Sequence, residues 1–430
     1  MVVHAWLTWL GAVLLAEQSF GDVDLYREWV RDGLRLGWWP VVDEAWVYPA
    51  AALLPMLVPA VVGTATYLPY ALAWCALVAA LNAVAVAGLL RRRHGETAVL
   101  WWMTFLLLLG PAAIGRLDAV VAPLSVLALL GALRRPRVAA ALVTLGAWVK
   151  VSPGAAIVPL ALAARRPWRD VVAPAAAVCV VVVGTVAALG GLPRVTSFVA
   201  EQGERGLQIE SVAATPWLVV GLWSDAVRRY LNRPLVTFEI SGPGTQATAD
   251  ALGALLVVGF AAAAVLLWWC RRRDGERFWS DDALRLDLVL RGALLMALVL
   301  IVLNKVGSPQ FMTWLAPPVA VALAHGLPRW GRVAAVVAAA AFVTQVAYPW
   351  FYADVVRGGT VVTLLLAARN VALVALLVAT VVRLLRPAAG EELSPADGRT
   401  ARLPWPPRRS AGPGTPSGAV GGEPPEQVRT

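Results

Sequence analysis

Long apolar runs decide what this chain can become. Stretches with almost no charge recur along it, such as 67–90, 171–192, 251–270 and 360–385. Their length, roughly 17 to 25 residues, is what a helix needs to cross the hydrocarbon core of a bilayer. Alternation of strand period is absent, which argues against a β-barrel. Soluble domains are about half apolar and about a quarter charged, whereas 59% of this chain is hydrophobic and 15% is charged. The expected fold class is therefore all-α and polytopic, with about ten to twelve transmembrane helices and a polar first loop outside the membrane.

The net charge of +10 does not point to nucleic acid. The basic residues cluster between apolar runs, as RRRHGE (91–96), RRPR (134–137), RRPWR (165–169), RRRDGER (271–277) and LPRWGR (327–332). Short basic loops mark the cytoplasmic side. The organisation expected is an integral membrane domain over 1–386 and a Pro/Gly/Arg-rich, disordered cytoplasmic tail over 387–430. Cys75, Cys179 and Cys270 lie in apolar runs, and neither they nor His4, His94 and His325 have metal-ligand spacing. No metal site and no cofactor are expected, with a divalent cation left open. Among 37 basic residues only Lys150 and Lys305 are lysine. In a chain so biased to arginine, these two are candidates for a role that a guanidinium does not fill.

Parity between the basic loops gives a topology. The run 2–18 lacks a basic leader and reads as an anchor rather than a signal peptide. The stretch 46–62 carries Pro49, Pro55 and Pro59 and reads as a broken interfacial helix. Residues 138–164 lie between two inside loops but are too few for two full spans, so a short hairpin broken near Lys150–Pro153 is expected. The polar residues that the basic loops do not explain then fall on the external side. They are Asp22 and Asp24 after the first span, Arg116 and Asp118, Lys150, Arg205, Gln208 and Glu210, and Asn304, Lys305 and Gln310. Ionisable groups at a membrane boundary are costly unless paired or functional. Cations there suit a phosphate, and a carboxylate suits a base that takes a proton from a hydroxyl.

Several segments carry a resemblance. GDVDLYREW (21–29), VYPAAALLP (47–55), GRLDAVVAPLSVLAL (115–129), AWVKVSPGAAIVPLALAARRPWR (147–169), RGLQIES (205–211) and NKVGSPQFMTWLAPP (304–318) stand in an order and spacing that resembles glycosyltransferase family 87. These are membrane enzymes of GT-C architecture, best known as actinobacterial mannosyltransferases. The resemblance implies an inverting transferase in the bacterial plasma membrane. It implies a polyprenyl-phosphate sugar donor, most commonly of mannose, and a glycolipid or polysaccharide acceptor of the cell envelope on the external face. It further implies a catalytic acid in the first external loop. Asp22 and Tyr26 fit the family's spacing of an Asp four residues before a Tyr, and Asp24 is the rival. Lys150, Arg205 and Lys305 would offset charge on the leaving phosphate. Gln208, Asn304 and Gln310 would bond sugar or phosphate oxygens, with Arg116, Asp118 and Glu210 beside them. The family's usual Glu-Tyr-Pro-Pro reads Val47-Tyr48-Pro49-Ala50 here. A flippase of polyprenyl-linked glycans is the alternative, although it would need polar residues through the midplane, where Asn82, Asp287, Arg291 and Asn370 are the few present. An assembly scaffold is a third reading, under which Asp22 and Asp24 would be dispensable.

Overall fold

A computed structural model describes residues 1–203, 205–233 and 236–386 of the chain. The expected tail, 387–430, lies outside the described residues. The apolar runs are helical, and six helices are long and apolar enough to cross a membrane: Tyr67–Leu90, Gly95–Ala113, Trp168–Ala188, Thr245–Arg273, Trp330–Trp350 and Thr360–Leu385. In the Trp168–Ala188 helix only 11% of the apolar window is buried, against 50% in Gly95–Ala113. A helix apolar all round and bare on most sides faces lipid, so this one stands at the rim. The chain is a multi-pass membrane protein.

Elsewhere proline cuts the runs into pieces. Asp118–Gly131, Pro136–Val149 and Ser152–Ala163 are apolar but too short to count as spans by length. The expected broken helix at 46–62 is a 3₁₀ turn over Ala50–Ala52, a short helix over Leu53–Leu57 and a second 3₁₀ turn over Val58–Val62. Proline removes a backbone donor and crowds the preceding turn, so the tighter 3₁₀ form takes over. The hairpin breaks where expected. The Pro136–Val149 helix stops at Lys150, whose backbone is extended, and a 3₁₀ turn over Ser152–Ala156 leads into Ile157–Ala163. A third break follows the buried Asp282–Val302 helix. The chain there passes through a 3₁₀ turn over Pro309–Trp314 before the Ala316–Ala324 helix.

One element was not legible in the sequence. Strands β1 (Leu207–Gln208), β2 (Arg228–Asn232) and β3 (Thr237–Ser241) form an antiparallel sheet in the order β1-β3-β2, with Leu207 opposite Ile240 and Gln208 opposite Glu239. Strands this short show no readable period. Leu207 and Ile240 join Leu252, Val362 and Leu366 in a second apolar core, which seats the sheet against the Thr245–Arg273 and Thr360–Leu385 helices.

Polar side chains near the middle of the bundle include paired ones. Asn82 accepts from Trp102 Nε1 at 2.9 Å and donates to the Val78 carbonyl at 3.0 Å. Asp287 accepts from Trp330 Nε1 at 2.8 Å and from Arg291 at 2.7 Å. These residues therefore do structural work and need no transport pathway to explain them. Replacing Asn82 with Leu strands the buried indole N–H of Trp102, at a cost of about 1–3 kcal/mol. We expect a lower thermal midpoint for Asn82→Leu in detergent, and Asn82→Leu combined with Trp102→Phe to recover part of the loss.

Candidate functional site

The first turn of the Gly21–Leu36 helix carries Asp22 and Asp24. The structure sends them to different partners. Asp22 Oδ2 lies 2.9 Å from Arg116 Nε and the Asp22 side chain is 35% exposed. Asp24 accepts from Arg27 Nε at 2.7 Å, a pair on its own helix, and Arg27 also donates to the Thr64 carbonyl at 2.9 Å. Asp22 thus meets a residue distant in sequence, whereas Asp24 braces its own helix.

Arg116 is buried, and each of its three nitrogens has a partner. Nη1 donates to the carbonyls of Ser19 at 2.9 Å and Gly115 at 3.1 Å, and Nη2 donates to the Tyr348 hydroxyl at 3.0 Å. Tyr348 donates in turn to the Gln18 carbonyl at 2.5 Å. The turn bearing Arg116 is held by Trp74, whose Nε1 donates to the Ile114 carbonyl at 2.8 Å. Gly115 leaves room for the Phe20 ring, which a Cβ would meet at 2.7 Å. Tyr26, four residues after Asp22, packs on Trp74 with ring centroids 5.3 Å apart and on Tyr48 at 6.2 Å. Burial pushes the Tyr26 and Tyr48 hydroxyls above their ordinary range, so both are neutral donors. The aromatic cluster therefore fixes the angle at which the Asp22 helix meets the Arg116 turn.

Tyr48 also forms part of the wall of a cleft of about 420 Å³. Lys150, Ser152, Asn304, Lys305 and Trp314 line its polar side. Both lysines of the chain are in that wall. Lys150 Nζ stands 4.8 Å from the centre of the Tyr48 ring. The opposite wall is apolar, with Phe198, Leu252, Leu256, Leu300 and Leu303. An adjoining cavity of about 480 Å³ shares Val151, Phe198, Leu256 and Leu300 and continues past Trp148 and Phe260. Polar and apolar lining thus stand side by side, and the apolar part continues into the adjoining cavity.

The remaining expected residues divide. Asp118 is buried under the cleft and accepts from Trp314 Nε1 at 2.6 Å, while its Oδ2 has no hydrogen-bond partner. Asn304 Oδ1 accepts from the Val306 N–H at 3.0 Å, which shapes the turn bearing Lys305. Gln208 does not face the cleft. Its Oε1 accepts from the Gly307 N–H at 2.9 Å and its own N–H donates to the Lys305 carbonyl at 3.0 Å. The sheet therefore clamps the Lys305 turn through Gln208. Arg205, half-buried just before β1, and the buried Gln310 also lie outside the cleft wall. Among the described residues, no group of three or more His, Cys, Asp or Glu is placed to hold a metal ion.

Glu210 is buried behind that turn, with the Tyr352 hydroxyl and Arg369 beside it. Arg369 donates to the Glu210 carbonyl at 2.6 Å and to Asn370 Oδ1 at 2.6 Å, and Asn370 donates to the Ser211 carbonyl at 3.2 Å. Sequence reasoning missed Tyr348, Arg369 and Trp314. Trp314 lies within the segment 304–318, whereas Tyr348 follows Thr344 and Gln345 in an apolar helix and Arg369 adjoins Asn370, and neither falls in a pattern that marks a site.

A family comparison now bears on this geometry. Residues 46–302 match glycosyltransferase family 87. The chain belongs to that family. It is a membrane glycosyltransferase. The matched stretch contains Tyr48, Arg116, Asp118, Lys150, Arg205, Gln208 and Glu210, begins after Asp22 and Asp24, and ends just before Asn304. No curated protein and no solved structure matches the chain.

Two expectations concern the frame of this glycosyltransferase. Burial raises the Glu210 carboxyl to about 7, against the smaller opposing effects of its own backbone, Tyr352 and Arg369. A carboxyl raised on folding stabilises below its unfolded value and loses that contribution as pH rises through the folded value. Thermal midpoints should therefore fall for the wild type between about pH 4.5 and pH 7, by roughly 3 kcal/mol in stability. Glu210→Gln should be flatter across the same window, and identical slopes would remove Glu210 as the cause. Gly307 abuts the Glu210 and Ser211 backbone so closely that a Cβ has no space. Gly307→Ala should displace the Lys305 turn and lower activity about tenfold or more.

Proposed function

We propose that the glycosyltransferase takes its sugar from a polyprenyl-phosphate donor and passes it, with inversion, to a cell-envelope glycolipid or polysaccharide on the external face of the plasma membrane. The observation that carries this reading is that the only two lysines among 37 basic residues line one cleft. Tyr48, in the wall of that cleft, is near both Lys150 and the Asp22–Arg116 pair. Lysine is a compact charge with three rotatable donors, suited to a phosphate whose charge shifts during reaction. The apolar wall and the adjoining cavity suit an isoprenoid chain. Mannose is the sugar that the family resemblance favours.

The reaction follows from these parts. Asp22 takes the proton of the acceptor hydroxyl as its oxygen attacks the anomeric carbon. The bond from that carbon to the phosphate oxygen breaks on the opposite face, and the electron pair leaves with the polyprenyl phosphate. Lys150 and Lys305 stabilise the charge gathering there, in a site where fixed cations act with little water to screen them. Arg116 holds Asp22 in one orientation. Its three further acceptors keep it satisfied when the carboxylate is changed.

Asp22→Asn should keep its fold and lose at least about a hundredfold in turnover, the scale of a missing general base. Asp24→Asn should lower thermal stability more than turnover, because its partner is Arg27. Transfer would be followed with purified protein, a synthetic polyprenyl-phosphate mannose and extracted acceptor. Unchanged turnover in Asp22→Asn would eliminate it as the base. Lys305→Met should raise KM for the donor by about tenfold, and Lys305→Arg should not restore it. Full rescue by arginine would show that charge alone suffices.

A further inference from the structure

The helices that end at the cleft carry a second charged cavity at their other ends. The 118–131, 136–149, 282–302 and 316–324 helices each have one end at the Lys150–Lys305 region. The opposite ends of three of them, with the 91–94 turn, surround a cavity of about 250 Å³. The 21-residue Asp282–Val302 helix links the two over about 31 Å at 1.5 Å per residue. That is close to the thickness of a bilayer core, about 30 Å.

Arg92, Arg134, His325 and Asp282 line this cavity, together with leucines that include Leu130 and Leu286. The geometry is braced. The His94 N–H donates to the Ala324 carbonyl at 3.1 Å, and Gly326, at φ +64°, leaves space for the His94 ring. Arg92 is thereby held beside His325, and its Nη2 donates to the Leu130 carbonyl at 3.0 Å. Its neighbours Arg91 and Arg93 are exposed, whereas Arg92 is turned inward.

The two arginines that line the cavity have no ion-pair partner among the described residues. Asp282 is engaged by Arg285 at 2.8 Å. Among the described residues no carboxylate pairs with Arg92 or Arg134, and the buried Arg92 Nε has no hydrogen-bond partner. Burial, then the Arg134 charge, lowers the Arg92 guanidinium below its ordinary range. A basic loop that only obeys the positive-inside tendency has no need to turn an arginine into a cavity beside another. A buried donor without an acceptor is costly. Phosphate oxygens would satisfy it and cancel the repulsion between the two guanidiniums.

We propose that this cavity binds a phosphate group, carried by an anionic lipid headgroup or free in solution, on the membrane face opposite the cleft. The leucines beside the arginines suit the first source, since a headgroup brings its acyl chains with it.

The test uses the full-length protein in nanodiscs of neutral phosphatidylcholine, in the same with phosphatidylglycerol, and in the neutral discs with inorganic phosphate. Thermal midpoints and lipid retained through delipidation are read out. Phosphatidylglycerol should raise the wild-type midpoint and be retained. Arg134→Gln, exposed and without a bond to the frame, should weaken retention about tenfold, and Arg92→Gln combined with Arg134→Gln should abolish it. Arg91→Gln combined with Arg93→Gln removes the same charge from the same face and should leave retention intact. A phosphate response lost in Arg134→Gln, without lipid retention, would assign the site to the free ion. Equal loss in the Arg91/Arg93 pair, or no response of wild type to either probe, overturns the proposal.

Discussion

A guanidinium buried at Arg116 organises the site. An unpaired charge in that position would be prohibitive, so the surrounding backbone converges on it: the end of the first helical segment through Ser19, the turn at Gly115, and Tyr348 from the far part of the chain. Asp22 completes the set from the start of its helix. Three stretches of sequence, around 19–22, 115 and 348, are thus tied to one planar group. Because three of the four acceptors are not Asp22, the carboxylate is oriented by the arrangement without being the part that holds it together.

The cleft beside it depends on a different constraint. Helices that stop inside a bundle expose backbone groups that lipid cannot satisfy. At Lys150 the chain is extended and then re-enters as a 3₁₀ turn. At 304–309 the backbone is satisfied from outside the bundle, by Gln208 and the short sheet. Broken helices are tolerable where they line a polar cavity and are supported by protein, and the two breaks carry the two lysines to the same wall. The sheet, which has little core of its own, therefore has a mechanical role: it closes the end of the bundle and fixes the Lys305 turn.

How much of this was legible follows from the range of each interaction. Helical runs and the break at Lys150–Pro153 are local, set by hydropathy and proline, and the sequence shows them. So do the candidates Asp22, Arg116, Lys150 and Lys305, because charge in an apolar chain stands out. Their sorting was not legible. Asp22 and Asp24 are equivalent in sequence and separate only when Arg116, remote along the chain, selects one and Arg27 the other. Nor does the sequence reveal that Gln208 bonds the Lys305 turn, since a side-chain amide satisfies backbone as readily as substrate. Tyr348 and Arg369 lie in apolar helices without a marked pattern, and their partners Arg116 and Glu210 are remote along the chain. The sheet escaped because strands of two and five residues are below the length at which a period can be counted.

The choice of basic residue then separates the two ends of the bundle. Arginine, with a planar fork and several donors, is used where geometry must be fixed: at Arg116 against carbonyls and a carboxylate, at Arg369 against Glu210 and Asn370, and at Arg92 against Leu130. Lysine is absent from all of those roles and stands only in the cleft. An ammonium is a compact charge on a flexible stem, with no planar fork to match a fixed set of acceptors. In a chain with 35 arginines, the restriction of lysine to this wall sets the cleft apart from the arginine-built frame around it.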